Sequence, residues 1–143
     1  MPDINHRFPI AAPPDRVLAT LVSPEGLNAW WTLTADGMPA EGGEYRFGFG
    51  PEYQWAGRLA ELEPGRRVVW EMVDADDDWR GTKVGFALEP SREGTTVDFF
   101  HTGWREANPH FRQTSYCWAM YLRLLKRYLE EGSVVPYQAR NAA

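Results

Sequence analysis

Lys83-Val84-Gly85-Phe86-Ala87-Leu88-Glu89, the turn Ser91-Arg92-Glu93-Gly94, and Thr95-Thr96-Val97-Asp98-Phe99-Phe100-His101 decide the fold. The flanks alternate large apolar residues with polar or small ones, the period of a strand with one buried face, and the glycine-bearing segment between them reads as a hairpin turn. Symmetric pairing about that turn puts Val84, Phe86 and Leu88 on one face with Val97, Phe99 and His101. Downstream, Phe111, Trp118, Leu122, Leu125 and Leu129 recur at helical spacing in one stripe. Asn108-Pro109 opens this helix and Gly132 closes it. A sheet with an aromatic-rich face, and a long helix able to lie across it, predict a cavity for something apolar.

Upstream, Tyr53 to Glu63 and Arg67 to Val73 read as strands joined at Pro64-Gly65-Arg66. Symmetric pairing there places Ala60, Leu62, Val68, Trp70 and Met72 on one face and brings Arg58 onto it. A guanidinium so placed needs an acid or an anionic ligand, whereas a register shift of one residue turns it outward. Gly42-Gly43 precedes a strand from Glu44 to Phe49 in which Tyr45, Phe47 and Phe49 alternate. Thr32 to Glu41 reads as a loop, and Asp74 to Asp78 as a solvated acidic loop. At the start, Ile4 to Ile10 is a strand, followed by a short helix to about Val22 and another that Ser23 caps and Trp30-Trp31 ends. The order predicts an α+β architecture: a curved antiparallel sheet of about six strands wrapped around a long C-terminal helix, with two short helices after the first strand. The chain of 143 residues is expected to form one domain, 1–143, with 133–143 a partly ordered tail.

Those words together resemble a known group. Ile10-Ala11-Ala12-Pro13-Pro14-Asp15-Arg16-Val17, Trp30-Trp31, Gly42-Gly43-Glu44-Tyr45-Arg46-Phe47, Gly57-Arg58-Leu59, Glu63-Pro64, Gly94-Thr95-Thr96-Val97 and His101-Thr102-Gly103-Trp104 follow the order and spacing of one branch of the START, polyketide cyclase and birch-pollen-allergen (SRPBCC) superfamily. That branch is named after the C-terminal domain of the activator of the heat-shock-protein ATPase. The resemblance runs from Ile4 to Gly132. It implies the helix-grip fold of that superfamily, with a ligand cavity between sheet and long helix. It implies no shared catalytic set. The chain lacks the separate N-terminal domain of the eukaryotic co-chaperones, so direct chaperone activation is not the expectation.

Seven Trp, seven Phe and six Tyr supply the rings for such a cavity as well as for a core. The candidates for its lining are Trp30, Trp31, Phe47, Tyr53, Trp55 and Arg58 from the first half, Trp70, Met72, Phe86 and Phe99 from the later strands, and His101, Trp104, Trp118 and Tyr121 from the last third. His101 is the sharpest polar candidate, because a histidine on that face binds ligands or moves protons near neutral pH, or else sits at the core edge on one backbone hydrogen bond. Cys117 has no histidine at a helical spacing and reads as an inert thiol. His6, His101 and His110 are too dispersed for zinc, and no cofactor is expected. A net charge of -5 with scattered basic residues argues against nucleic acid. The absence of a signal-like start or a long apolar run predicts a cytoplasmic protein with no membrane partner.

The favoured reading is a binding module for a small hydrophobic or aromatic molecule. The alternatives are an enzyme of polyketide cyclase or hydrolase type using the same cavity and a co-chaperone-like interaction module. Tyr116, Met120 and Leu124, opposite the Trp118 stripe and bordered by Gln113 and Arg123, suggest a homodimer through the outer face of the last helix.

Overall fold

The computed structural model describes residues 1–142. The chain runs β1 (Ile4–Ile10), α1 (Pro14–Val22), α2 (Pro24–Trp30), β2 (Thr34–Gly37), β3 (Glu44–Gly48), β4 (Gln54–Glu63), β5 (Arg67–Asp74), β6 (Lys83–Ser91), β7 (Gly94–Thr102) and α3 (Pro109–Glu131), then a 3-10 helix at Tyr137–Ala142. All neighbours in the sheet are antiparallel, and their order is β1-β7-β6-β5-β4-β3-β2. This is the helix-grip architecture expected, with seven strands. The strand beyond the expected six is β2, inside the segment read as a loop. Its residues, Thr-Ala-Asp-Gly, carry no apolar alternation, because an edge strand needs only the ladder that joins it to β3.

The decisive hairpin pairs as its pattern requires: Val84 opposite His101, Phe86 opposite Phe99, Leu88 opposite Val97. β1 returns from the chain start to pair with β7, Ile4 facing His101. Local chemistry places the helices. Pro14, Pro24 and Pro109 each occupy a first helical turn, where a missing N–H costs nothing. The Ser23 side chain accepts from Gly26 N–H (3.0 Å), and Asn108 Oδ1 accepts from Phe111 N–H (2.8 Å). A Cβ at position 26 would collide with the Thr20 carbonyl oxygen, so only glycine lets α1 and α2 approach this closely. Gly132 ends α3 with φ of 72°, in the left-handed region.

One register expectation is overturned. Leu59 pairs with Trp70 and Glu61 with Val69, which leaves Ala60 as the extra residue of a bulge. Leu59, not Ala60, therefore joins Trp70 on the inner face. Arg58 is turned to the outer face, where it pairs with Glu71 at 3.1 Å, and it lines no interior cavity. No glycine or proline marks the bulge, and symmetric pairing cannot reveal it.

α3 lies over the inner face of the sheet. Thr114, Trp118, Leu122, Leu125 and Leu129 are buried along it. Leu124, expected on the outer face, is buried too. The segment after Gly132 folds back: the Arg140 guanidinium donates to the carbonyls of Asn28 (2.8 Å) and Thr32 (3.3 Å), and so closes the C-terminal end of α2. Asn141 borders the same outer groove as Leu124. Among the described residues no helix is long and apolar enough to cross a membrane.

Because Leu125 is wholly enclosed between helix and sheet, Leu125→Ala should cost about 2–5 kcal/mol. Urea unfolding checks it, and a loss below about 0.5 kcal/mol, typical of a surface site, would contradict the packing described.

Candidate functional site

The aromatic residues assigned to the cavity largely fill one another's space. Trp118, at mid-helix, meets Trp31 at 5.1 Å between ring centroids and Phe99 at 4.6 Å. Trp30 stands edge-on to Phe86 (6.0 Å), and Phe47 packs on Trp31 (4.9 Å) and Trp70 (6.0 Å). Met72 and Trp104 are buried in the same cluster. These residues form the core between sheet and helix rather than the wall of an empty chamber. Tyr53 goes the other way: it lies in the turn before β4 and is 56% exposed.

His101 is fully enclosed, and both its ring nitrogens are engaged. Trp118 Nε1–H donates to Nδ1 at 3.1 Å. An acceptor at Nδ1 places the ring proton on Nε2, which meets Thr82 Oγ1 at 2.8 Å. Thr82 Oγ1–H in turn donates to the Trp79 carbonyl at 2.6 Å. The chain Trp118, His101, Thr82, Trp79 is thus consistent in every donor and acceptor. Burial, with a smaller contribution from the charge of His110, pushes the His101 pKa down to about 3. A neutral imidazole with no free nitrogen is a structural tie between α3, β7 and the β5–β6 connection, not a proton carrier. The expectation of a single backbone partner is corrected accordingly.

That connection, residues 75–82, supplies what alternation along strands could not show. Trp79 follows four acidic positions, yet it is buried. Its ring meets His101 at 4.5 Å, Trp55 at 4.9 Å and Trp118 at 5.8 Å. A lone large ring in an otherwise solvated loop is the signal that could have found it, since such a ring rarely stays in water without a partner. The loop is tied down from both sides. Asp76 Oδ1 accepts from Trp79 N–H (3.2 Å), and Asp78 Oδ2 meets His110 Nδ1 at 2.8 Å across the first turn of α3. The hydrogen bond from His110 holds the Asp78 carboxyl below the usual carboxylate range.

Where this loop meets α3, the half-buried Trp55 and Tyr121 border a surface recess of about 260 Å³ that lies over the buried rings of Trp79 and Trp118, with His110 and Thr114 at its edge. Of the sequence candidates, the recess brings together Trp55, Trp118 and Tyr121, and it adds Trp79 and His110. Cys117 borders it, its thiol pKa pushed up by burial. Among the described residues, the indole N–H groups of Trp30, Trp70, Trp79 and Trp104 are buried without a hydrogen-bond acceptor. Trp70 and Trp104 make edge-to-face contacts with Tyr45 and Phe111. A second groove, about 450 Å³, runs along the outside of α3 past Tyr116, Met120 and Arg123. Tyr116 there is 78% exposed.

The family model described as Activator of Hsp90 ATPase homolog 1-like protein matches residues 11–130. Among solved structures, the Aha1 dimer from Colwellia psychrerythraea is 31% identical, covers 93% of this chain and 99% of its own, and superposes with a TM-score of 0.85. The protein SSP2350 from Staphylococcus saprophyticus is 18% identical over 94% of this chain and 96% of its own, with a TM-score of 0.79. CalU16 from Micromonospora echinospora is 23% identical over 96% and 81%, with a TM-score of 0.72. The last two share the fold. No curated protein matches the sequence.

The His101 tie has a pH signature. Its folded pKa of about 3 lies below the ordinary 6.5. The unfolded chain therefore takes up a proton first as pH falls, and stability contributed by the neutral ring drains away from pH 6.5 downward. Between pH 6.5 and 5, above most carboxylate titration, the loss should be roughly 1.5 kcal/mol. Urea midpoints at the two pH values measure it. A flat wild-type profile, or an equal slope in His101→Gln, would contradict the assignment.

Proposed function

This chain belongs to the Activator of Hsp90 ATPase homolog 1-like family, and we propose that it binds a small, largely apolar ring compound in the recess that Trp55 and Tyr121 border over Trp79 and Trp118. The observation that carries the reading is local: the space between sheet and α3 is filled by rings, while at this one end the half-buried Trp55 and Tyr121 border an open recess whose base is Trp79 and Trp118. Its size, about 260 Å³, lies just under the roughly 300–1,000 Å³ typical of drug-sized ligand sites. That favours one or two fused rings over a long acyl or polyketide chain. Catalysis in the same place is the weaker reading, because the one buried histidine has both nitrogens committed.

A neutral naphthalene fluorophore such as Prodan tests the site. Saturable binding with quenched tryptophan emission is expected. Trp55→Ala and Tyr121→Ala should each weaken it about ten-fold, the loss of roughly 1.4 kcal/mol of ring contact. Binding that both variants leave unchanged places the probe elsewhere and removes the proposal.

The outer face of α3 favours a second copy of the chain as partner. Tyr116 is exposed and Met120 half-buried beside the long groove, and the 31% identical relative from Colwellia psychrerythraea is described as a dimer. With Leu124 buried, Tyr116 and Met120 carry the proposed contact. Sedimentation should show a dimer at micromolar concentration and a monomer for Met120→Glu, with unchanged circular dichroism. A monomeric wild type at that concentration ends this part of the reading.

A further inference from the structure

Building on the reading of the recess as a ligand site, we propose that the C-terminal segment 133–142 is a displaceable strap that sets the length of what the site accepts. With the strap seated, the recess takes one or two fused rings. With it released, the same site takes a ring compound that carries a further apolar arm.

The recess is the uncovered end of a trough between α3 and the rings on the β3–β4 side of the sheet. On the sheet, Trp55 borders the recess. The next ring along is Phe49, 5.2 Å from Trp55 and 5.5 Å from Trp31 between centroids. On the helix, Tyr121 borders the recess. Beyond Phe49 and Tyr121 the trough is covered by the strap. Tyr137 O–H donates to the Phe49 carbonyl at 3.2 Å, and Val135 packs against the core. Burial, and next the neighbouring Tyr137, raise the Tyr121 phenol above its ordinary pKa, which puts the two phenols side by side. Asn141 brings the end of the strap to the stretch of α3 that holds Cys117, and Cys117 also borders the recess.

The strap is lightly held. Among the described residues three hydrogen bonds join it to the rest of the chain, the one from Tyr137 and the two from Arg140 to the Asn28 and Thr32 carbonyls. All three start from side chains. Val134, Pro136, Gln138 and Ala139 are exposed, while Val135 and Tyr137 are only half-buried. A segment with few buried apolar contacts and few shared hydrogen bonds opens far more cheaply than the fold as a whole. Arg140 suits a reversible fastening. Its side chain is 2% exposed, yet each acceptor it meets is a carbonyl, of Asn28, Thr32 or Val135. The C-terminal end of α2 lends it partial negative charge. Water solvates a free guanidinium well, so an anchor without a carboxylate loses less on release than a buried ion pair does. A ligand arm entering between Phe49 and Tyr121 takes the place of Val135 and Tyr137, and its own burial offsets theirs.

Two neutral fluorophores on the full chain test the strap. Prodan is a naphthalene with small end groups, and N-phenyl-1-naphthylamine adds a phenyl arm. Wild type should favour Prodan. Arg140→Ala should raise the affinity for N-phenyl-1-naphthylamine about ten-fold and leave Prodan within about two-fold, the gain expected where the strap is released in only about one wild-type molecule in ten. Tyr137→Ala removes the anchor at Phe49, keeps the end of α2 capped, and should give the same shift should Arg140→Ala fail to fold. Coupling between ligand and strap is reciprocal. In wild type, N-phenyl-1-naphthylamine should therefore speed chymotrypsin cleavage after Tyr137, read by the mass of the shortened chain, and Prodan should not. Unchanged affinity for N-phenyl-1-naphthylamine in both variants, or unchanged cleavage after Tyr137 when it is bound, overturns the strap and, with Prodan still bound, leaves the recess reading standing. Failure of both fluorophores to bind wild type and either variant overturns both.

Discussion

The hydrogen bond from Trp118 Nε1–H to His101 Nδ1 joins the long helix to β7, the strand beside the edge strand β1, and the aromatic interior packs around it. A packed helix can slide along a sheet at modest cost when only apolar contacts hold it. A buried polar pair cannot slide, because each group left unpaired costs about 1–3 kcal/mol. The bond also fixes the imidazole tautomer. That in turn aims Nε2 at Thr82, and Thr82 at the Trp79 carbonyl. One donor on α3 therefore helps to fix the loop that leads into the neighbouring strand β6, and that loop carries Trp79 at the base of the recess.

The same constraint explains why the interior is solid in one part and open in another. Around Trp118, rings from α2, β3, β6 and β7 meet at centroid distances that leave no room between them. Toward the start of α3 the sheet contributes Trp55, and the β5–β6 connection contributes Trp79. There the smaller Thr114 and the half-buried Cys117 replace the large rings of mid-helix. The recess is the gap left where side-chain volume on the helix drops while the sheet's rings continue. Its base, Trp79 and Trp118, is tied together through His101 and Thr82. Its rim is held by a partly exposed Asp78–His110 pair, which water screens and which contributes modestly to stability.

Charged residues elsewhere follow the faces that pairing dictates. Arg7 with Asp98 and Arg58 with Glu71 are cross-strand pairs on the outer side of the sheet. Such exposed pairs contribute little energy but penalise a slipped register, in which a charge would be driven inward. Lys126, which donates to the Pro9 carbonyl and pairs with Glu130 on the next turn, fastens α3 to the edge strand β1. Glu130 also accepts from Ala11 N–H and lies below its ordinary pKa, chiefly through the Lys126 hydrogen bond.

Amino-acid order alone determined the parts of this protein that depend on local period and on residues with special backbone preferences. The β6–β7 hairpin, the α3 stripe of Trp118, Leu122, Leu125 and Leu129, the caps at Ser23 and Asn108, and the stop at Gly132 are all readable, because alternation, helical spacing and capping act over a few residues. Most of the aromatic candidates were legible as interior residues for the same reason. Tertiary structure decided the rest. A bulge at Ala60 turned Arg58 outward, and no local pattern marks where a ladder absorbs an extra residue. Strand β2 formed from four polar or small residues because β3 offered it a ladder. Trp79 and His110 reached the recess through contacts with residues from tens of positions away, which no spacing encodes. Whether rings line a space or fill it depends on the summed volumes of side chains from several elements. That sum exists only after the sheet has closed on the helix, so the difference between the solid core at Trp118 and the open recess beside Trp55 is a property of the fold and not of any stretch of the chain.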